Sequence, residues 1–472
     1  MLAICPQERV TRVRGAGFNA TGLPDEAIDA VLRRSGRSRT DVATYAFADA
    51  GSVPRGLPTV VLDHHEAHAC AAFFPSPFET AAIVVCDHGA PHVSVWEGRG
   101  ASVTRIDWPW RGDGFAELYS QCADVLGFHA AEQRMEALAR LNPDLRADWA
   151  ESMFALQEDQ LCQTPDWRET LKARCGQGSH LEKAPVAAAL QARIGDLLVD
   201  FLAMVRRRTG HAHVCLGGSL FYNSHFNGRA KLSGVFDDVF VPMDPGNSGL
   251  ALAAALHAGG IPRQPVSPFL GPEYSSDEVK GVLDNCKLTY RWVSESESIA
   301  LAVDALRKGQ LVGWFEGAME AGPRALGARS ILASPFNRYV LDNLNRFLKH
   351  RDPWRGYALS GLHDWVTDRF TGPAASPFME CDYTAKDVAR FQHVLPGRSA
   401  AVRIQTVGNG GGPPRFRALL RAFGEASEGP ILVNTSFNGF QEPIVCSPRD
   451  AIRVFYGTGI DMLVFGQFVL TK

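Results

Sequence analysis

No C-x-x-C pair occurs among the ten cysteines of this 472-residue chain, which excludes a zinc ribbon, and the thiols are too scattered for a disulfide scaffold. A reducing, cytoplasmic setting is therefore expected. Nowhere do about 18 apolar residues follow one another, and the first apolar run is too short for a secretory signal, so no membrane segment is expected. Lys/Arg-rich blocks are also missing, and the net charge is only -3, so the electrostatic footprint of a nucleic-acid partner is absent. No G-x-x-x-x-G-K-[ST] motif occurs, which excludes a P-loop in its usual form.

What is present is an ordinary globular composition, 46% apolar and 21% charged, long enough for two or three domains. Residues 259–277 carry four prolines and follow an Ala/Leu-rich stretch, which places a boundary between residues 1–261 and 262–472. On both sides short β-type runs (PTVVL, AAIVVCD, HVCLGG; later AVRIQTV, ILVNTS, DMLVFGQFVL) alternate with helical stretches, so both halves read as α/β. Ser447 before Pro448 predicts a helix start.

Four constellations carry candidate chemistry. In DHHEAHA, residues 63–69, a helix would put His64 and His68 on one face, either as two metal ligands needing a third or as a hydrogen-bonded histidine face. In AAIVVCDHGAPHVSVW, residues 81–96, a strand-turn-strand places Asp87, His88, Gly89 and His92 at a tip, where they either approach a phosphate and its metal or simply make the turn. In CLGGSLFYNSHFNGR, residues 215–229, Gly217 and Gly218 allow a nucleotide against backbone, and PGNSG at 245–249 offers N–H groups to an anion. The richest set is GWFEGAMEAGPRALGARSILA, residues 313–333, with NRFLKHRDPWRGYA, residues 345–358. Arg324, Arg329, Lys349, Arg351 and Arg355 stand there among glycines and aromatics, a composition suited to phosphate, and Arg403 and NTSFN at 434–438 can join them.

These last motifs, with HHEAHACAAFFPSPF, the GGSLFYN to GLALAAAL segment and ILVNTSFNGFQEPIVCSPRDAI, resemble the O-carbamoyltransferases of antibiotic and nodulation-factor biosynthesis. The resemblance implies an actin-like, threonylcarbamoyltransferase-like acceptor domain, here lacking its first strand, followed by a YrdC-like domain. It implies an ATP-dependent enzyme that converts carbamoyl phosphate to carbamoyl-adenylate and passes the carbamoyl group to a hydroxyl of a small molecule. Carbamoyl phosphate and ATP, the latter with Mg2+ as cofactor, would bind in a site formed by Arg324, Lys349, Arg351, Arg355, Arg403, Ser436 and Asn438, and Gly217, Gly218 and Asn223 would face nucleotide in the acceptor domain. A transition metal such as Fe2+ would sit at His64 and His68.

Three departures fall in the first half. The element bearing the family's opening His-Asp pair precedes the start of this chain, which leaves His88 and His92 as the expected bases. The family's third metal ligand, an Asp in P-x-G-D-x-G, stands here as Asn247, a weaker donor because it brings no charge. The Glu-Tyr-Lys-x-Met-Gly-Leu run reads EQRMEAL, and D-G-x-G-E reads DHGAPH. These departures keep open an altered acceptor chemistry, such as transfer to an amine, or a non-catalytic binding role.

Overall fold

The computed structural model of the protein describes residues 3–49, 53–54, 56–143, 145–260, 265–395, 399–408 and 412–472. The expected boundary at 261/262 lies outside the described residues.

The β-branched run at 80–86 forms the strand Thr80–Cys86, buried along nearly its whole length. It is central to a five-stranded sheet ordered Ser102–Ile106, Val93–Arg99, Thr80–Cys86, His213–Gly217, Asp238–Phe240. The first three strands pair antiparallel and the last two join in parallel. Successive side chains of the central strand point to opposite faces. Ala82, Val84 and Cys86 pack with Leu190, Ile194 and Leu197 of the long helix Ala184–Thr209, while Ala81, Ile83 and Val85 pack with the helices His64–Phe73 and Leu250–Ala258. Burial on both faces explains why this strand reads as an unbroken apolar run.

After the linker, a ten-stranded mixed sheet runs from Arg291–Trp292 at one edge to Phe370–Thr371 at the other. Its middle holds, side by side, Val312–Phe315, Arg329–Ala333, Ile431–Ser436, Leu359–Leu362 and Ala401–Val407. The helices Ser276–Asn285 and Pro448–Gly457 cover one face, and Glu295–Arg307 with Pro414–Ala426 the other. Ser447 caps Pro448–Gly457 and forms a capping box with Asp450, the start that Ser447 and Pro448 predict.

The halves meet along a polar seam. The helix Ser224–Leu232 sends the Asn227 amide to the Glu380 carbonyl (2.9 Å), and Lys231 pairs with Glu380 at 2.8 Å. The chain's first described residues also cross over. Ile4 N–H donates to the Leu270 carbonyl (3.0 Å), Arg9 to the Glu320 (2.5 Å) and Gly322 carbonyls, and Arg12 to those of Pro443 (2.7 Å) and Ile444 (2.5 Å). Residues 4–12, grouped with the first half by the position of the linker, thus lie against the second. Among the described residues no helix is long and apolar enough to cross a membrane, and the ten cysteines are free thiols.

Candidate functional site

Asp63 caps the helix His64–Phe73, its carboxylate accepting from His65 N–H (3.0 Å) and Glu66 N–H (3.3 Å). That start fixes the helix phase and sets the imidazoles of His64 and His68 one turn apart, 4.8 Å between ring centroids. Both rings turn to Asp87, at the end of the central strand: His64 Nε2 lies 2.9 Å and His68 Nε2 3.4 Å from Asp87 Oδ2. The other carboxylate oxygen accepts from Ser219 N–H (2.9 Å). Burial opposes ionisation of Asp87, yet the bonds from His64 and Ser219 hold it well below the usual carboxylate range; the Asp87 bond in turn raises His64.

His68 is fully buried, and its Nδ1 meets the Pro245 carbonyl at 3.2 Å. A carbonyl only accepts, so Nδ1 carries the hydrogen and, in the neutral ring, a lone pair on Nε2 faces the Asp87 carboxylate with no hydrogen-bond partner. Two electron-rich atoms face each other, the donor set a cation fits. Among the described residues His64, His68 and Asp87 are the group that could hold a metal ion, with ligand atoms within 4.8 Å of one another. His65 is turned away: it accepts from Ser94 Oγ (2.7 Å) through Nδ1 and donates from Nε2 to the Gly89 carbonyl (2.9 Å), and burial lowers its pKa.

Asn247 and Asp87 differ in how they stand to the histidine pair. Asn247 is exposed on the short helix Asn247–Gly249, two residues beyond the carbonyl that orients His68, whereas Asp87 brings a charged oxygen between the two rings. His88 is exposed and bridges Ser219 Oγ (2.8 Å) and Ser120 Oγ (2.7 Å). His92 adopts φ 64° in the same turn, its carbonyl accepting from Asp87 N–H (3.0 Å). Gly217 and Gly218 have local reasons to be glycine: a Cβ on Gly217 would stand 2.9 Å from the His68 carbonyl, and one on Gly218, at φ 103°, 2.1 Å from that of Cys86. Asn223 is buried, caps the helix Ser224–Leu232 by accepting from His225 N–H (3.0 Å) and donates to Gln191 (3.2 Å).

In the second half the cations separate into groups. Lys349 ends a π-helical turn, Asn343–Lys349, and donates to the Ser436 carbonyl (2.7 Å), the Asn438 carbonyl (3.1 Å) and Asn438 Oδ1 (2.5 Å). Burial, then the nearby Arg351, bring its pKa down to about 7. Ser436 Oγ also donates to Asn438 Oδ1 (2.8 Å), so strand end and loop form one cradle. Arg351 stacks 3.8 Å from the Tyr357 ring centroid and donates to Asn345 Oδ1 (2.9 Å) and the Gly356 carbonyl (3.1 Å). The Arg355 guanidinium has no hydrogen bond or ion pair among the described residues, and burial lowers its pKa to about 10. Arg329 stands apart. It is fully buried and donates to the carbonyls of Glu316, Ala328, Pro272 and Gly317 (2.9–3.1 Å), so it braces the Gly-Pro loop rather than facing a ligand.

Arg324 and Arg403 lie at the seam. Arg324 donates to the Tyr222 carbonyl (3.1 Å), and burial, then Arg403, lower its pKa to about 9. Arg403 meets Glu136 Oε1 (2.8 Å) and Oε2 (3.0 Å) and Ser224 Oγ (3.0 Å). Glu136 also pairs with Arg140, which donates to Asp382 (2.9 Å). Burial opposes ionisation of Glu136, but Arg140 and Arg403 hold its carboxyl well below its usual range. Sequence reasoning noted Asp87 at its turn and Glu136 in EQRMEAL, but it did not join Asp87 to the two histidines or Glu136 to the arginines, since nothing in the amphipathic EQRMEAL marks one glutamate as buried.

The carbamoyltransferase N-terminus profile matches residues 53–256 and the carbamoyltransferase C-terminus profile residues 303–472. An uncharacterized protein of Synechocystis sp. is 30% identical, the alignment covering 91% of this chain and 79% of that protein. Nodulation protein NolO of Bradyrhizobium diazoefficiens is 29% identical over 87% of this chain and 79% of its own length. A crystal structure of full-length HypF in its phosphate- and nucleotide-bound form aligns with half of each chain at 16% identity and a TM-score of 0.34, a likeness too slight to carry a fold assignment. The chain belongs to the carbamoyltransferase family of enzymes.

Proposed function

We propose that this enzyme activates carbamoyl phosphate with ATP as carbamoyl-adenylate and transfers the carbamoyl group to a hydroxyl of a small molecule. The observation that carries the reading is the partnering of Lys349, Arg351 and Arg355: half-buried cations meeting carbonyls, an amide or nothing and, among the described residues, no carboxylate within ion-pair distance. Unmatched charge away from bulk water is costly, and an anionic ligand relieves it. Lys349 is a point charge for phosphate oxygens, and the Arg355 fork is free for bidentate contact. Both would stabilise negative charge developing as the mixed anhydride forms.

A five-stranded sheet before the linker and a ten-stranded sheet after it support assigning activation to the second, YrdC-like half and transfer to the first, actin-like half. The acceptor half would use the histidine helix: a transition metal held by His64, His68 and Asp87 would supply Lewis-acid or phosphate-clamping chemistry. His88, exposed and held by two serine hydroxyls, is placed to exchange a proton with an acceptor hydroxyl.

The test is pyrophosphate release from ATP and carbamoyl phosphate with no acceptor present. Release requiring both substrates, and lost in Arg324→Ala and Lys349→Ala, is expected. A folded protein that releases none would overturn the reading.

A further inference from the structure

At the seam, three guanidiniums, Arg140, Arg324 and Arg403, converge on the buried Glu136. Glu136 Oε1 accepts from Ser224 N–H (2.9 Å), Ser224 Oγ (2.8 Å) and Arg403 Nη2 (2.8 Å), while Oε2 accepts from Arg403 at 3.0 Å and Arg140 closes the ring. Ser224 is the first residue of the nine-residue helix Ser224–Leu232, so the carboxylate sits on that helix's N-terminal N–H. A main-chain N–H, a hydroxyl and two guanidiniums are the donor set that phosphate oxygens take. Among the described residues Asp382 adds a second carboxylate, bound by Arg140 (2.9 Å) and 2.6 Å from Ser224 Oγ, whose single proton it shares with Glu136, so one positive charge remains. Arg324 meets a carbonyl instead of an acid.

We propose that Glu136 is the internal occupant of an oxyanion site at the seam, competing with a phosphate-bearing ligand for Arg403, Arg140 and the Ser224 donors. The proposal deepens the reading above and rests on it for the identity of the ligand class. Glu136 comes from the first half and Arg403 from the second, so a ligand phosphate that displaces the carboxylate exchanges one anion for another without leaving the guanidiniums bare. The seam therefore holds such a ligand weakly, which suits a hand-over point between two reactions.

The experiment is calorimetric titration of the intact protein with inorganic pyrophosphate, comparing wild type, Glu136→Gln, Lys349→Ala and the double variant Glu136→Gln/Arg403→Ala. Glu136→Gln is expected to bind about tenfold tighter, because the amide keeps an oxygen for Ser224 but no longer competes as an anion. Adding Arg403→Ala removes that gain. Unchanged affinity in Glu136→Gln, with binding still weakened by Lys349→Ala, overturns this proposal and leaves the functional reading standing. A gain in Glu136→Gln with no effect of Lys349→Ala supports the proposal and removes the reading. Should Glu136→Gln fail to fold, Glu136→Asp retains the charge on a shorter arm and is expected to give a smaller gain; no gain there overturns the proposal.

Discussion

Lys349 and Arg355 on one side and Arg140 and Arg403 on the other are cations of the same enzyme with opposite company. The first pair meets neutral acceptors or none; the second pair meets Glu136 and Asp382. The difference teaches that a cluster of arginines in sequence is not yet a ligand site. What decides is whether the fold has already supplied the counter-charge. A matched pair holds the halves together, and an unmatched one waits for an anion.

The largest effect that would break this contrast is catalytic. Lys349→Ala or Arg355→Ala should cut acceptor-independent pyrophosphate release by about 10²–10³-fold, the usual loss of a preorganised electrostatic contact, whereas Arg140→Ala should change it far less. Equal losses in all three would erase the distinction.

Stability reverses the order. Arg403→Ala strips buried Glu136 of its two-oxygen partner and should cost about 3–5 kcal/mol in urea unfolding, with Lys349→Ala near neutral or stabilising.

Metal content extends the comparison to the first half. Asp87→Ala should lower the metal retained by the purified protein about tenfold or more, read by plasma mass spectrometry, while Asn247→Ala keeps most of it.

A proton sharpens it further. Burial sets Lys349 near 7 in the free protein, well below a lysine in water, so above that pH the amine is mostly neutral. A bound anion favours the ammonium form, so pyrophosphate binding at pH 8 should take up a proton, and affinity should fall towards tenfold per pH unit above 7. Calorimetry in buffers of different ionisation enthalpy would show it, and Lys349→Met should abolish the uptake. The smallest effect is local: Asp63→Ala removes a helix cap and should cost about 1 kcal/mol in thermal unfolding.

Strand and helix positions were legible because burial on both faces writes itself as apolar runs, as in residues 80–86, and because caps such as Ser447 are local. The pairing of His64 with His68 was legible for the same reason, since four residues make one helical turn. Asp87 was quoted from its turn yet not joined to the histidines, because 23 residues separate it from His64 and only the sheet brings them together. Arg329 and Arg355 look alike on paper. One is consumed by four main-chain carbonyls and the other is not, a distinction set by how the Gly-Pro loop folds back.

Arg9 and Arg12 reach from the beginning of the chain to the carbonyls of residues 320, 322, 443 and 444. The covalent linker near residue 265 is therefore one of several ties between the halves, beside the polar seam and residues 4–12. A protease cutting there would open a ring rather than cut a string: the fragments should elute together from a sizing column, and residues 4–12 should leave with the second fragment if they are cut free as well.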